Sequence, residues 1–468
     1  MGRFPASLVM NQHFLWVILV ITHLAAALFS RGYYHFDEHF QVLEFLQWKL
    51  GRTPTEAMPW ELTEAMRPWT HPLLFYPLEW ASHHFLSLSP FTKTALHRLV
   101  PALLALLAIH RLQRDKSSGL LFLYTILFFL PFLDARISSE IIGGETLALA
   151  FAWDERPQGR FKGHVVVGAL LGLASVIRFH LWIMVGGLAL FHVLQQDFRR
   201  VGGLALGATA VLVLAVFIDR WGYNTWTFVP WNYLHQNLLL HKSSQWGISP
   251  WYAYVTMLVV NTAYLPGIVI LVALLWQWWK RPLSKLTLMT VPFVAIHLVV
   301  GHKELRFLFP MVYFLPLCLF ALWEDTKDIR AAKSIAYVFI TLDLLLLIPT
   351  SLHDANPYIG LYQILRDNPR LHGATLCYQG ENPLRPGNLA ISYYLGDLGL
   401  QATRLPEDKI PSGLVIMDRL GAYLQLRDEA RCQLLGQRYS AWAINALANM
   451  LQAKPRARLK MWSLWSCP

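Results

Sequence analysis

The stretch LTLMTVPFVAIHLVV (286–300) runs directly into Gly301-His302-Lys303-Glu304-Leu305-Arg306, and that hexapeptide into FLFPMVYFLPLCLFALW (307–323). Two apolar runs of this kind read as buried or membrane-spanning helices. Three potential cations and one acid wedged between them are costly unless something pairs with them. The stretch therefore reads as two membrane helices joined by a charged boundary segment. Further apolar runs lie at 14–29, 96–112, 120–133, 141–153, 164–177, 181–194, 201–218, 252–278 and 335–352. With the first pair they predict about eleven spans, a spanning helix needing about 20 residues.

The composition agrees. Of 468 residues, 55% are hydrophobic and 15% charged, against about 25% charged in an ordinary soluble domain. This excludes a disordered chain and argues against one large soluble globule. The net charge of +11 is first accounted for by basic cytoplasmic loops and calls for no nucleic-acid partner. Four cysteines are too few for a disulfide scaffold and none has metal-ligand spacing. Cys318 lies in an apolar run, and Cys377, Cys432 and Cys467 leave room for one disulfide without specifying it. The absence of an Asn-x-Ser/Thr sequon fits a bacterial setting. No small-residue cleavage site follows 14–29, so that run reads as a retained anchor.

With a cytoplasmic N-terminus every inside loop is basic: Arg111, Arg114 and Lys116; Arg156, Arg160 and Lys162; Arg199 and Arg200; Lys280, Arg281 and Lys285; Lys327, Arg330 and Lys333. Three larger segments then lie outside. In the first, 30–95, apolar residues at Phe36, Phe40, Leu43, Leu46 and Leu50 predict a helix along the membrane surface. The second, 219–251, is rich in Trp, Tyr and Asn. The third, 353–468, carries candidate strands 374–379 and 413–417 and a helical stretch 437–452, a small α/β domain. The expected architecture is an all-α polytopic membrane domain over 1–352, with external loops 30–95 and 219–251, followed by an external α/β domain over 353–468.

Several residues can carry chemistry. Asp37 and Glu38 stand just after the first span, where a carboxylate can take a proton from a hydroxyl; an acid there also suits the first turn of a helix. His302, Lys303 and Arg306 suit a phosphate, and Arg178 can add to them. Glu304 belongs to the same segment. Arg136 and Glu140 are spaced to pair on a helix. Asp219 and Arg220, followed by aromatics up to Trp251, suggest a surface for a sugar or headgroup. Asp343, within the last span, has no evident partner.

In this order the segments resemble the membrane mannosyltransferases that use a polyprenyl-phosphate donor, the family of the dolichyl-phosphate-mannose-dependent enzymes of GPI-anchor and N-glycan assembly. Phe36-Asp37-Glu38-His39-Phe40-Gln41 is similar to the family's first-loop acid motif. Asp219–Tyr223 resembles its Asp-Arg-x-x-Tyr-Gly loop, with Gly222 placed before Tyr223. Residues 246–251 resemble Tyr-Gly-x-x-Pro-Trp, with Trp246 for Tyr, and 302–307 resemble His-Lys-Glu-Glu-Arg-Phe, with Leu305 for the second Glu. The resemblance covers roughly 14–352. It implies a GT-C fold, inverting transfer at the outer face, and a polyprenyl- or dolichyl-phosphate-linked sugar as donor with a glycan or glycolipid as acceptor. Asp37 and Glu38 would be catalytic, while His302, Lys303, Arg306 and Arg178 would hold the donor phosphate. Glu304, Asp219, Arg220, Trp251 and Arg136 would bind substrate, with no metal or cofactor. The implied site is periplasmic in a bacterial inner membrane, or lumenal in the endoplasmic reticulum. Transfer of another carrier-linked sugar, or transport of a lipid-linked sugar, are the alternatives; charges at one face without an internal repeat favour the enzyme.

Overall fold

The computed structural model describes residues 11–114, 116–156, 161–406, 412–429, 431–450 and 460–468. Arg160 and positions 451–452 of the expected tail helix lie outside them. The chain divides into two compact units, one of Met1–Ser30, Glu61–Pro77 and Ala95–His353, the other of Arg31–Trp60, Leu78–Thr94 and Asp354–Pro468. In this division 31–60 and 78–94, read from the sequence as part of an external loop of the membrane domain, fall in the unit that holds the tail.

The first unit is helical. Side-chain caps start several of its helices, each satisfying an otherwise orphaned N–H. Asn11 accepts from His13 N, Ser138 from Ile141 N, Asp197 from Arg200 N and Ser284 from Thr287 N. Five described helices are long and apolar enough to cross a bilayer: Gln12–Phe29, Pro90–Gln113, Phe198–Tyr223, Leu305–Thr326 and Arg330–Leu352. A sixth span counts if Leu265–Lys280 and Lys285–Val299, which meet at 119°, form one. The other runs of the expected eleven make shorter helices. The run 120–133 breaks at Leu127, whose ψ of 104° leaves the helical region, and resumes at Leu130–Asp134 with Pro131 in its first turn.

Two helices approach almost to backbone contact. Gly168 and Gly172 on Phe161–Ile177 face Gly203 and Gly207 on Phe198–Tyr223, a small-xxx-small repeat on each side. A Cβ at Gly172 would lie 2.7 Å from Ala208 Cα, and one at Gly207 2.1 Å from Val165 O. Where lipid offers no hydrophobic drive for association, this closeness supplies dispersion contact instead.

The Ser139–Asp154 helix carries three buried acids. Asp154, at its C-terminal end, receives Lys285 at 2.6 Å and His192 at 3.0 Å, with Arg200 at 3.7 Å; next to it Glu155 meets Lys116 at 2.9 Å. Glu145, midway, lies 3.2 Å from the Tyr313 hydroxyl, which donates at 2.7 Å to Asp134. Asp134 also meets His23 at 2.9 Å. Glu140, in the first turn, is taken up below. Asp343 accepts from Phe128 N at 3.2 Å and so has a structural partner where the sequence suggested none.

The second unit contains a five-stranded mixed sheet: β1 (Thr375–Tyr378), β2 (Gln401–Arg404), β3 (Gly413–Arg419), β4 (Gln433–Gln437) and β5 (Lys460–Cys467), in the order β2-β1-β3-β5-β4. β1 pairs parallel with β2 and β3, while β5 runs antiparallel to β3 and β4. Val415, Met417, Tyr423, Ile444 and Trp465 form its core, and Cys432 is bonded to Cys467.

The expected surface helix is different in kind. Residues 36–49 form one continuous helix with a wide π turn over His39–Glu44. Phe36 is exposed, but Phe40, Val42, Leu43, Phe45 and Leu46 are buried, and so are His39, Gln41, Glu44 and Gln47, which is not the one-sided burial of a helix lying along a membrane surface. Polar partners within the unit make this burial tolerable. His39 meets Glu44 at 3.0 Å, and Glu44 accepts from Tyr393 N at 2.9 Å. Glu79 accepts from Lys93 at 2.6 Å, from the Tyr393 hydroxyl at 2.6 Å and from Gln47 at 3.3 Å.

Because backbone rather than a flexible side chain opposes a larger residue at 207, Gly207→Leu is expected to destabilise the unit by about 3 kcal/mol. Gly202→Leu, with nothing within 4 Å of its Cβ position, should be neutral. Melting temperatures of the detergent-solubilised variants check this, and equal values for the two would contradict the close packing.

Candidate active site

Glu140 organises the charged end of the first unit. Its carboxylate lies 2.9 Å from Arg178 and 2.8 Å from Arg306, and all three are almost fully buried. The Ser138 cap starts the helix one residue before Glu140, which places this acid at the positive end of the helix dipole. Arg178 closes Phe161–Ile177, and Arg306 opens the Leu305–Phe314 segment. One acid of the fourth helical run thus gathers two arginines that lie 128 residues apart.

Arg306 also contacts Glu304 at 2.6 Å, and Glu304 meets His302 at 2.8 Å. His302 reaches Gly247 O at 3.1 Å, while Ser249 N donates to Gly301 O at 2.9 Å. Two motifs of the sequence, 246–251 and 302–307, are therefore stitched together by backbone and imidazole. The Phe307 ring packs against both guanidiniums, 5.5 Å from Arg178 and 5.0 Å from Arg306. Lys303 is 5% exposed and donates to Val300 O; burial lowers its pKa. Arg178 has one hydrogen-bonding capacity in reserve: its Nε is buried and has no partner among the described residues. Trp246 and Trp251 are exposed.

Other residues expected to bind substrate make defined contacts within the unit. Asp219, 2% exposed, accepts from Trp69 N at 2.8 Å. The Tyr223 hydroxyl donates to Arg67 O at 2.6 Å, and a Cβ at Gly222 would fall 2.0 Å from the Trp69 ring. The Asp219–Tyr223 motif is thus a clamp on residues 67–69, which explains glycine at 222. Arg220 packs over Trp226 at 5.8 Å. Arg136 lies outside the helix that begins at Ser139, so the spacing read as a helical pair with Glu140 is not one. It donates instead to Ser30 O at 2.7 Å and Phe132 O at 3.1 Å, and Arg98 donates to Ala27 O at 2.7 Å. Together the two arginines cap the C-terminus of the first spanning helix, where cations are favoured.

The clamp delivers a residue that the sequence reading passed over. His71, 5% exposed, follows Trp69 in the Thr70–Leu73 turn. Its ring hydrogen-bonds to the Ile137 backbone, Nε2 is buried without a partner among the described residues, and Glu140 and Arg178 both act on its charge. Burial holds its pKa down at about 4. No signal in Thr70-His71-Pro72 by itself marks this role.

In the second unit, His35 Nδ1 accepts from Asp37 N at 3.2 Å and lies 3.6 Å from the Asp37 carboxylate, which is partly exposed. Glu38, 2% exposed, accepts from Tyr34 N at 2.8 Å. Among the described residues no group of three or more His, Cys, Asp or Glu side chains is placed to hold a metal ion.

The sequence profile of the Alg9-like mannosyltransferase family matches residues 14–370. The chain belongs to that family. Among its curated relatives, GPI alpha-1,2-mannosyltransferase 3 of Danio rerio is 26% identical over 326 residues, 65% of this chain and 57% of the relative. Mannosyltransferase APTG1 of Arabidopsis thaliana is 26% identical over 325 residues, 63% of this chain and 55% of the relative. The alignments thus span little more than half the length of these relatives. The crystal structure of ArnT from Cupriavidus metallidurans bound to undecaprenyl phosphate aligns over 97% of both chains, with a TM-score of 0.53 and 11% identity. That likeness concerns the fold, which is the GT-C arrangement. It extends over the tail, which the Alg9-like profile covers only to residue 370.

Two outcomes test these assignments. Asp219→Ala leaves a buried Trp69 N–H unsatisfied and is expected to cost about 1–3 kcal/mol, whereas Asp219→Asn keeps the acceptor oxygen and most of the stability. Melting temperatures unchanged in both would contradict the clamp. For His71, the unfolded side chain takes up a proton near pH 6.5 and the folded one near pH 4. The unfolded state therefore binds more protons in between, and stability falls as pH drops from 6.5 to 4, by about 3 kcal/mol in all. Above pH 6.5 the contribution is intact. His71→Gln should flatten this part of the pH–stability curve, and an unchanged slope would contradict the burial argument.

Proposed function

We propose that this Alg9-like chain is an inverting mannosyltransferase that moves mannose from a polyprenyl-phosphate carrier to a glycan or glycolipid acceptor at the outer membrane face. The observation that carries the reading is the buried Arg178–Glu140–Arg306 cluster with the spare Arg178 Nε. Two arginines and Lys303 against two glutamates leave one net positive charge. A sugar phosphodiester donor carries one negative charge, and its leaving phosphate gains a second. Fixed cations in a low-dielectric setting favour the second state over the first, which is the form of stabilisation a transition state needs. Arg178 Nε and the Lys303 ammonium supply donors to the phosphate, while Glu140 and Glu304 hold Arg306 in place.

An acceptor hydroxyl oxygen attacks the anomeric carbon as the bond from that carbon to the phosphate oxygen breaks. The bonding pair leaves with the phosphate, and a general base takes the hydroxyl proton; the resemblance of 36–41 to the family's first-loop acid motif supports Asp37 for that role. One displacement inverts the anomeric centre. Glu38, buried on Tyr34 N–H, positions the loop. The family profile and the named mannosyltransferase relatives support mannose as the sugar. The fold shared with ArnT, whose structure holds undecaprenyl phosphate, supports a polyprenyl carrier. The Cys432–Cys467 disulfide supports an oxidising compartment for the tail, which in a bacterium is the periplasm.

General-base assistance contributes about 10²–10⁴-fold. Asp37→Asn is therefore expected to lower transfer from polyprenyl-phosphate mannose by that factor, with membrane insertion and melting temperature unchanged. Arg178→Gln should raise the donor KM. Full turnover by Asp37→Asn would remove the proposed base.

A further inference from the structure

Residues 224–241 carry no Asp, Glu, Lys or Arg, and the transferase scheme leaves them without a task. They follow directly on the spanning helix Phe198–Tyr223 and form a short helical stretch of their own, an α-helix over Val229–Leu234 that continues as a π turn over His235–Leu239. Its 11 residues rise about 16 Å, too little to cross a bilayer. An apolar stretch of roughly 10–14 residues is ordinarily a buried core helix or an interfacial one. Exposure decides between the two. Phe228, Trp231 and Leu234 are 51%, 56% and 45% exposed, and Leu239 and Leu240 are exposed as well. An apolar face left open in this way does not belong to a core.

At about 100° per residue, Val229, Asn232, Tyr233 and Gln236 share one side of this stretch, while Phe228, Trp231 and Leu234 share the other. The first side is occupied within the same unit. Val229 and Gln236 are buried, Asn232 donates to Glu64 O at 3.3 Å and to Ala65 O at 3.1 Å, and the Tyr233 ring packs against Phe179 at 5.2 Å. The second side continues a surface that already faces lipid. On Phe198–Tyr223, Leu206, Val213, Leu214 and Phe217 are exposed, away from the buried Gly203 and Gly207, and so form the side a spanning helix turns to the bilayer. The Phe217 ring meets Trp226 at a centroid distance of 5.8 Å, and Trp226, itself 64% exposed, carries the stripe on to Phe228. Tryptophan is enriched at the depth of the lipid headgroups. Arg220, packed over Trp226, has the arrangement of an interfacial cation, its stem on apolar surface and its head free to reach phosphates.

We propose that the face of Trp226, Phe228, Trp231 and Leu234 is seated in the headgroup region of the bilayer that Phe198–Tyr223 spans, so that this segment lies along the membrane surface instead of standing in water. The occupant of the face is phospholipid. A glycan would need hydrogen-bonding partners beside the rings, and Asn232 and Gln236 are turned the other way. The placement does not depend on the transferase reading. Through Asn232 it ties residues 64–65, which lead into the clamp on 67–69, to the membrane surface.

The test is electron paramagnetic resonance on the full chain in phosphatidylcholine vesicles, with Cys377→Ser and one nitroxide-labelled cysteine at a time; Cys318 is buried. Power saturation compares collisions with oxygen, which partitions into lipid, and with a water-soluble nickel chelate. Labels at Trp231→Cys and Leu234→Cys should favour oxygen and lie about 5–10 Å into the headgroup boundary. Val213→Cys should lie deeper, and Gln425→Cys, exposed in the second unit, should favour nickel. Positions 231 and 234 are exposed, so labelling disturbs no packed side chain and either label decides the question alone. Labels there that favour nickel as Gln425→Cys does would place the face in water. Labels shielded from both reagents would place it against protein, a second copy included. Either result overturns the proposal, and so does nickel contact at Val213→Cys, which would remove the lipid-facing stripe that the segment continues.

Discussion

A single carboxylate shared by two guanidiniums is the constraint around which the charged end of the membrane unit is built. Arg178 and Arg306 cannot be buried side by side without a counter-charge, because like charges out of water repel strongly and each loses its hydration. Glu140 answers both, and the Ser138 cap fixes where on the helix it stands. Glu304 takes up the remaining side of Arg306 and hands the arrangement on through His302 to the 246–251 loop. Buried ion pairs are poor sources of net stability. This one is better understood as a device that brings segments from distant parts of the chain to one place with defined orientation.

The Ser139–Asp154 helix extends the same logic. Its first and last acids are separated by 14 residues, about 21 Å along the axis, and each collects cations from other segments at its own end. Between them Glu145 and Asp134 sit with Tyr313 and His23 in a fully buried polar network. A helix that is apolar enough to be buried thus still fixes its neighbours by polar contacts at three levels. Dispersion alone, as between the glycine-lined faces of Phe161–Ile177 and Phe198–Tyr223, sets distance but specifies register less sharply.

Much of this was legible in the sequence, for physical reasons. Hydropathy marks the spans because a bilayer leaves little choice of composition, and the motifs at 37–38, 219–223, 246–251 and 302–307 stand out because charge and aromatic residues are unusual in such a chain. The tail strands at 374–379 and 413–417 carry turn signals that place them to within a few residues of β1 and β3. What was not legible depends on tertiary partners. Glu140 could be matched to Arg136 by spacing, but a helix that begins at Ser139 removes that pairing and gives Glu140 to residues far away. Helix 36–49 has an amphipathic pattern, yet Glu44 and Gln47 find Tyr393 and Glu79 and are buried with most of the apolar residues. His71 offers no pattern at all, since its surroundings come from the clamp on residues 67–69.

The wide turn at His39–Glu44 has a consequence for how this loop can change over time. A π turn accommodates one residue more than an α turn does, and such turns often sit at functional positions. Losing that residue would restore a regular α-helix at little local cost, but everything upstream would then swing about 100° around the axis. Asp37, together with His35, would be turned toward a different quarter. Single-residue deletions in this segment are therefore far less neutral than its otherwise forgiving helical composition suggests, and insertions elsewhere in the loop are the easier route for drift.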